Sequence, residues 1–272
     1  MEIKVLGPLL VRERGTSIVP SAGKPRQILA VLALRAGRVV PAATLMEEIW
    51  GQDIPRSAAT TLQTYILQLR RKIANALGET PSRTSKEVLV TSYGGYLLRA
   101  APDDSDLREF ERQSAAGGAA LERGDAHAAA ELLSRALGLW SGEALADVPV
   151  GPVLGLDLVG MEEARMRTLE QRIEADLSIG RHAGIVAELR MLVARFPMQE
   201  SLVAQLMLAL YRSGSTWRAL ESFQRLRSTL VEELGIEPSA RLQELHGRML
   251  AGCATLDLPE PAGYGVPARL SA

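Results

Sequence analysis

Ser57, Thr60, Thr64, Gln68, Arg71 and Asn75 follow one another at steps of three and four, with Thr61, Arg70 and Lys72 beside them. At about 100° per residue, these side chains share one arc of a helix. Hydroxyls and an amide at its front suit the edges of nucleic-acid bases, and the basic cluster Arg70-Arg71-Lys72 at its rear suits phosphate. The plain alternative is a solvated polar face, which amphipathic helices commonly carry. Leu62, Ile66, Leu69 and Ile73 recur at steps of four, three and four, and the same geometry predicts that they pack inward.

Other residues capable of chemistry do not assemble into a set. His127, His182 and His246 lack the spacing of metal ligands, and Cys253, the single cysteine, has no partner for a disulfide. Ala22-Gly23-Lys24-Pro25 has the outline of a phosphate loop, but proline stands where Ser or Thr is required. Glu47-Glu48 and Glu162-Glu163 are neighbours on predicted helices and point to different faces, which rules out an acid/base couple. The expectation is a protein that is not an enzyme, with no cofactor and no metal.

The elements that would hold the polar arc in place are legible from punctuation. Three segments, 25–37, 41–51 and 55–78, each have proline at the front and glycine at the end, the order expected of separate helices. Short apolar runs at 2–6, 9–11 and 16–19 precede them and predict three small strands. Residues 88–98, VLVTSYGGYLL, read as a hairpin with its turn at Tyr93-Gly94-Gly95. Strands, three helices and a terminal hairpin describe a winged helix-turn-helix over residues 1–100, with the long third helix in the major groove and the hairpin on the backbone beside it.

Charge divides the chain in the same place. Residues 1–100 hold 14 Lys or Arg against 7 Asp or Glu, whereas residues 101–272 hold 17 against 25. A basic module that meets a polyanion, joined to an acidic one that avoids it, is the organisation implied. Pro102 to Ser105 marks a change of composition, so residues 101–105 read as a linker, 106–255 as an all-helical domain and 256–272 as a flexible tail. Within the helical domain GDAHAAAELLSRAL, GRHAGIVAELRMLV and GSTWRALESFQRLR start at Gly124, Gly180 and Gly214, the last two 34 residues apart, the length of a tetratricopeptide unit. Small or apolar residues stand five and nine positions after each glycine: Ala129 and Leu133, Ile185 and Leu189, Ala219 and Phe223. Trp140 and Trp217 read as core. Coincidental helical hairpins are the competing explanation.

The helix ending LQLRRKI at 67–73 and the following LVTSYGGYLL resemble the DNA-binding domain of OmpR-type response regulators. With the opening IKVLGPLLV and the segment KPRQILAVLAL, the layout of residues 1–255 resembles the Streptomyces antibiotic regulatory protein family more closely. The fold implied is mainly α with a small β component: an OmpR-like winged helix followed by a tetratricopeptide-like bacterial transcriptional activator domain. The function implied is activation of a secondary-metabolite gene cluster by binding direct repeats near the promoter −35 region and engaging RNA polymerase through its sigma or alpha subunit. Protomers would sit in tandem or as a homodimer on promoter DNA, in the cytoplasm at the nucleoid, with no membrane involved. Thr60, Thr61, Thr64 and Gln68 are the base-reading candidates. Lys24, Arg26, Arg56, Ser57, Arg70, Arg71, Lys72, Tyr93, Gly94 and Arg99 are the candidates for backbone contact. A helical-repeat scaffold without specific DNA binding is the alternative.

Overall fold

The computed structural model describes residues 1–78, 83–253 and 256. The chain opens with an antiparallel meander, β1 (Glu2–Lys4), β2 (Leu10–Glu13) and β3 (Thr16–Ser17), with Ile3 opposite Val11 and Glu13 opposite Thr16. Arg14 and Gly15 both have positive φ, +50° and +80°, as a tight hairpin turn matching strand twist requires. Then follow α1 (Gly23–Leu34), β4 (Val40–Pro41), α2 (Ala42–Trp50), α3 (Ala58–Leu77), α4 (Ser85–Val88), β5 (Leu89–Ser92) and β6 (Gly95–Leu98). Gly37, Gly51 and Gly78, which end the three expected helices, all take positive φ.

Two of these elements lie outside the reading from sequence. α4 is a single turn closed by reciprocal bonds between Thr84 and Glu87. β4 adds two residues to the hairpin, giving a sheet in the order β4-β6-β5. The pairing explains Gly95: a side-chain carbon there would lie 2.1 Å from the Val40 carbonyl oxygen. The strand is too short for any alternation to announce it.

Beyond a 3-10 turn at Pro102–Asp104 the chain runs through α5 (Asp106–Glu122), α6 (Ala126–Leu137), α7 (Pro152–Ser178), α8 (His182–Arg195), α9 (Glu200–Arg212), α10 (Thr216–Leu234) and α11 (Ala240–Leu250). Gly124, Gly180 and Gly214 have φ of +80°, +80° and +76°, and each separates two of these helices. Ala129, Leu133, Ile185, Leu189, Ala219 and Phe223, the positions five and nine beyond those glycines, are all buried. Trp140 packs edge-on to Phe110, with ring centroids 5.4 Å apart. Trp217 corrects the expectation of a core residue: it is 64% exposed. Two residues before the buried Ala219, it stands nearly opposite on the helix and points away from the apolar side.

By packing, the chain forms two compact units. The first comprises Met1–Arg123 with Glu131–Leu169, and the second Gly124–Ala130 with residues from Glu170 on. Residues 106–123 and 131–169 therefore share a unit with the winged helix, and the change of composition at 101–105 falls inside it. Backbone groups explain the attachment. The Asp106 carboxylate accepts N–H bonds from Val5 and Leu6 at 3.0 and 3.1 Å, and Asp147 accepts from Leu9 at 2.7 Å. Burial raises the Asp106 carboxyl above its ordinary value of 3.8, with the Val5 and Leu6 N–H groups opposing the shift.

The deepest of these groups is Glu48 on α2, 1% exposed. Its carboxylate accepts N–H bonds from Gly151, Val153 and Leu154 at 2.7, 3.0 and 2.8 Å, where α7 begins. A helix start has N–H groups without partners inside the helix and a positive dipole end, so a carboxylate from elsewhere in the fold caps it.

In the second unit, α8 and α10 each pack on α9. Arg172 on α7 pairs with Asp176 one turn on at 3.1 Å and reaches Glu188 of α8 at 2.5 Å. Residues 257–272 and 254–255, most of the expected tail, lie outside the described residues.

Glu48→Ala removes the acceptor and leaves buried donors unsatisfied, so it is expected to destabilise the chain by about 2–4 kcal/mol in urea denaturation. Glu47→Ala, on the exposed side of the same helix, should stay within about 0.5 kcal/mol. Equal midpoints for the two variants would remove the cap from the account.

Candidate nucleic-acid interface

α3 buries one edge and exposes the other. Leu62, Ile66, Leu69 and Ile73 are at most 2% exposed and join the core of the first unit. Ser57, Thr60, Thr64, Gln68, Arg71, Lys72 and Asn75 are exposed, and Thr61 is half-buried. A row of threonines can stay helical because each hydroxyl finds a carbonyl one turn back. The Thr61 hydroxyl donates to the Ser57 carbonyl at 3.0 Å, and that of Thr64 to the Thr60 carbonyl at 3.1 Å. Their outward lone pairs and methyl groups remain, so these threonines can accept from an amino group or touch a thymine methyl. Among the described residues the Gln68 amide has no hydrogen-bond partner, which leaves both its donor and its acceptor for an adenine edge.

The cations divide into two groups. Arg71, Lys72 and Arg56 are exposed and have no carboxylate partner among the described residues. Lys24, exposed at the start of α1, lies 5.4 Å above the Trp50 ring. Arg99, just after β6, is exposed and helps lower the Glu87 carboxyl, whose larger causes are the bonds from Thr84. Arg26 and Arg70 have intramolecular work instead of the open position expected for phosphate contacts. Arg26 donates to the Pro20 and Asp147 carbonyls at 2.9 and 2.8 Å and to the Asp147 carboxylate at 3.2 Å. Arg70 donates twice to the Leu89 carbonyl, at 3.1 and 2.8 Å, and once to the Thr91 hydroxyl at 2.7 Å. It fastens the rear of α3 to the first strand of the hairpin.

At the hairpin tip Tyr93 is fully exposed, and Gly94 has a φ of +75°. Tyr93 thus projects from the turn as an amphipathic group beside which a backbone can lie. Leu67, which sequence reasoning passed over, is 48% exposed between Thr64 and Gln68 on the outer flank of α3. Its signal was available, since it is the one aliphatic residue of 62–73 outside the four-three-four pattern. Arg70 as a fastener had no such signal, because its partners lie 19 and 21 residues away.

Two family models match the chain: the transcriptional regulatory protein C-terminal model over residues 16–98, and the bacterial transcriptional activator domain over residues 105–250. The chain is 51% identical over 271 residues to Regulatory protein DnrI of Streptomyces peucetius, covering all of this chain and 98% of that protein. It is 38% identical over 269 residues to Regulatory protein AfsR of Streptomyces griseus, of whose length it spans 26%. Among solved structures, Mycobacterium tuberculosis EmbR in complex with a low-affinity phosphopeptide matches with a TM-score of 0.84 at 30% identity, over 92% of this chain and 65% of that one.

Arg70→Ala should speed amide hydrogen exchange in the hairpin, residues 89–98, by about tenfold, since its bonds contribute on the order of 1–2 kcal/mol. Arg71→Ala should leave that exchange unchanged. Equal protection in both variants would show that Arg70 does not fasten the hairpin.

Proposed function

Because the chain belongs to the Streptomyces antibiotic regulatory protein family, transcriptional regulators that join an OmpR-type winged helix to a bacterial transcriptional activator domain, we propose that it activates a biosynthetic gene cluster by binding direct repeats near a promoter −35 region and recruiting RNA polymerase. The observation that carries this reading is the two-sidedness of α3: its aliphatic edge is buried while Thr60, Thr64, Gln68 and Arg71 face outward on one arc. In the major groove that arc puts Thr60, Thr61, Thr64 and Gln68 over base edges and Arg71 and Lys72 on phosphates. Arg56 and Ser57 at the front of the helix, Lys24, and Tyr93, Gly94 and Arg99 of the wing are positioned for the sugar-phosphate backbone. Arg26 and Arg70 act one step removed, by holding α1 and the hairpin where those contacts can form.

Two protomers on one groove face would space the repeats by about one helical turn, 10–11 base pairs. The sigma or alpha subunit of polymerase would then meet the helical domain. No described helix is long and apolar enough to cross a membrane, in keeping with a site of action at the nucleoid. A helical scaffold that does not read DNA is the rival, and salt separates the two. Promoter affinity that falls steeply with the logarithm of salt concentration supports DNA binding, and no measurable affinity at low salt supports the scaffold.

Footprinting on promoters neighbouring the gene supplies the probe. Arg71→Ala should weaken binding to specific and random DNA alike and lower the salt slope by about one, whereas Gln68→Ala should cost about 1–3 kcal/mol mainly at one base position. Equal effects of both variants on specific and random DNA would refute that division of roles. Leu67 is assigned to a thymine methyl, which replacing single thymines by uracil tests. One such replacement should weaken wild-type binding and leave Leu67→Ala unaffected; a penalty of the same size in both removes Leu67 from the reading surface.

A further inference from the structure

In the second unit α8 and α10 flank α9, and the space between them is a groove of about 580 Å³. Its floor is apolar: Leu206 and Leu210 of α9 and Leu226 of α10 line it and are buried. Three arginines stand along it, Arg190 on α8 and Arg218 and Arg225 on α10, all exposed. Glu221 is the one acidic residue of the lining, and it pairs with Arg225 at 2.7 Å. Among the described residues neither Arg190 nor Arg218 has a carboxylate partner; Arg218 lies 5.1 Å from the centre of the exposed Trp217 ring.

The sign of this groove runs against its surroundings. Residues 101–272 carry 25 acidic side chains against 17 basic ones, so an average patch of this half would be negative. A positive, apolar-floored groove in an acidic domain is complementary to a partner that offers aliphatic side chains flanked by carboxylates. Guanidinium groups suit that role because their planar fork matches a carboxylate. The exposed rim residues Arg190, Arg218 and Pro197 leave the groove open along its length, which favours a chain laid across it over an enclosed small molecule. Two helices packed on a third leave a trough of the width that a further helix fills.

We infer that this groove binds an acidic amphipathic helix of another protein, its aliphatic edge on Leu206, Leu210 and Leu226 and its carboxylates on Arg190 and Arg218. The inference stands on the helical domain alone and does not require the DNA reading.

The probe is a fluorescein-labelled peptide of about 16 residues, long enough to hold a helix once docked, with leucines at i, i+4 and i+7 and glutamates around them. A second peptide carries lysine at every glutamate position. Anisotropy titrations use the full chain, with Arg190→Glu, Arg218→Glu, the double variant, and Arg241→Glu as an exposed control outside the groove. The glutamate peptide should bind, should weaken as salt rises, and should lose about tenfold per reversed arginine. The lysine peptide should bind only the double variant, and Arg241→Glu should change nothing. Equal binding of the two peptides by the wild-type chain, indifference to the reversals, or no binding at low salt would each overturn the inference. All substituted positions are on the surface, and promoter affinity of the same variants reports separately on the DNA reading.

Discussion

A carboxylate taken out of water is tolerated only where strong donors converge on it. Three backbone donors and the Gln27 amide converge on Glu48, and the backbone groups, the N–H of Gly151, Val153 and Leu154, in turn have no partner inside α7. Each side thus removes the other's penalty. The consequence reaches α3, because α2 precedes it and packs on it. The aliphatic edge of α3 lies in one continuous core with Leu145, Val148 and Leu154 from the segment after α6. The core of the winged helix is therefore completed by residues beyond position 100, Leu145, Val148 and Leu154 among them. Asp106 and Asp147, which bind backbone N–H groups beside β1 and β2, follow the same logic.

This arrangement changes what the basic character of the first hundred residues means. Part of it is matched within the first unit: Arg26 pairs with Asp147 at 3.2 Å and Arg35 with Asp157 at 3.1 Å. Among the described residues Arg56, just before α3, and Arg71 and Lys72 on it are exposed and have no carboxylate partner. A formal net charge summed over a stretch of chain overstates the charge available to a partner. In the acidic half the error has the opposite sign, since Arg190 and Arg218 give one groove a positive rim.

Arg70 shows how exposed and fastening side chains alternate on one helix. Its neighbour Arg71 faces outward, while Arg70 reaches the Leu89 carbonyl and the Thr91 hydroxyl. A step of one residue turns a side chain by about 100°, enough to move it from the exposed side of α3 to the hairpin. Arg70 thereby holds the hairpin against α3.

Several helices and their buried faces are legible in the sequence. Proline and glycine delimited α1, α2 and α3, and the four-three-four spacing of Leu62, Ile66, Leu69 and Ile73 gave the buried edge. The positions five and nine beyond Gly124, Gly180 and Gly214 gave the packed sides of α6, α8 and α10. These features are set by dihedral preference and helical period, which act over a few residues. The role of Glu48, the engagement of Arg26 and Arg70 and the strand β4 were not legible. Each depends on which distant group arrives beside the residue, a carbonyl 19 positions on or a helix start some hundred positions on. Local propensity carries no record of such partners, and only the packing of one element on another selects them.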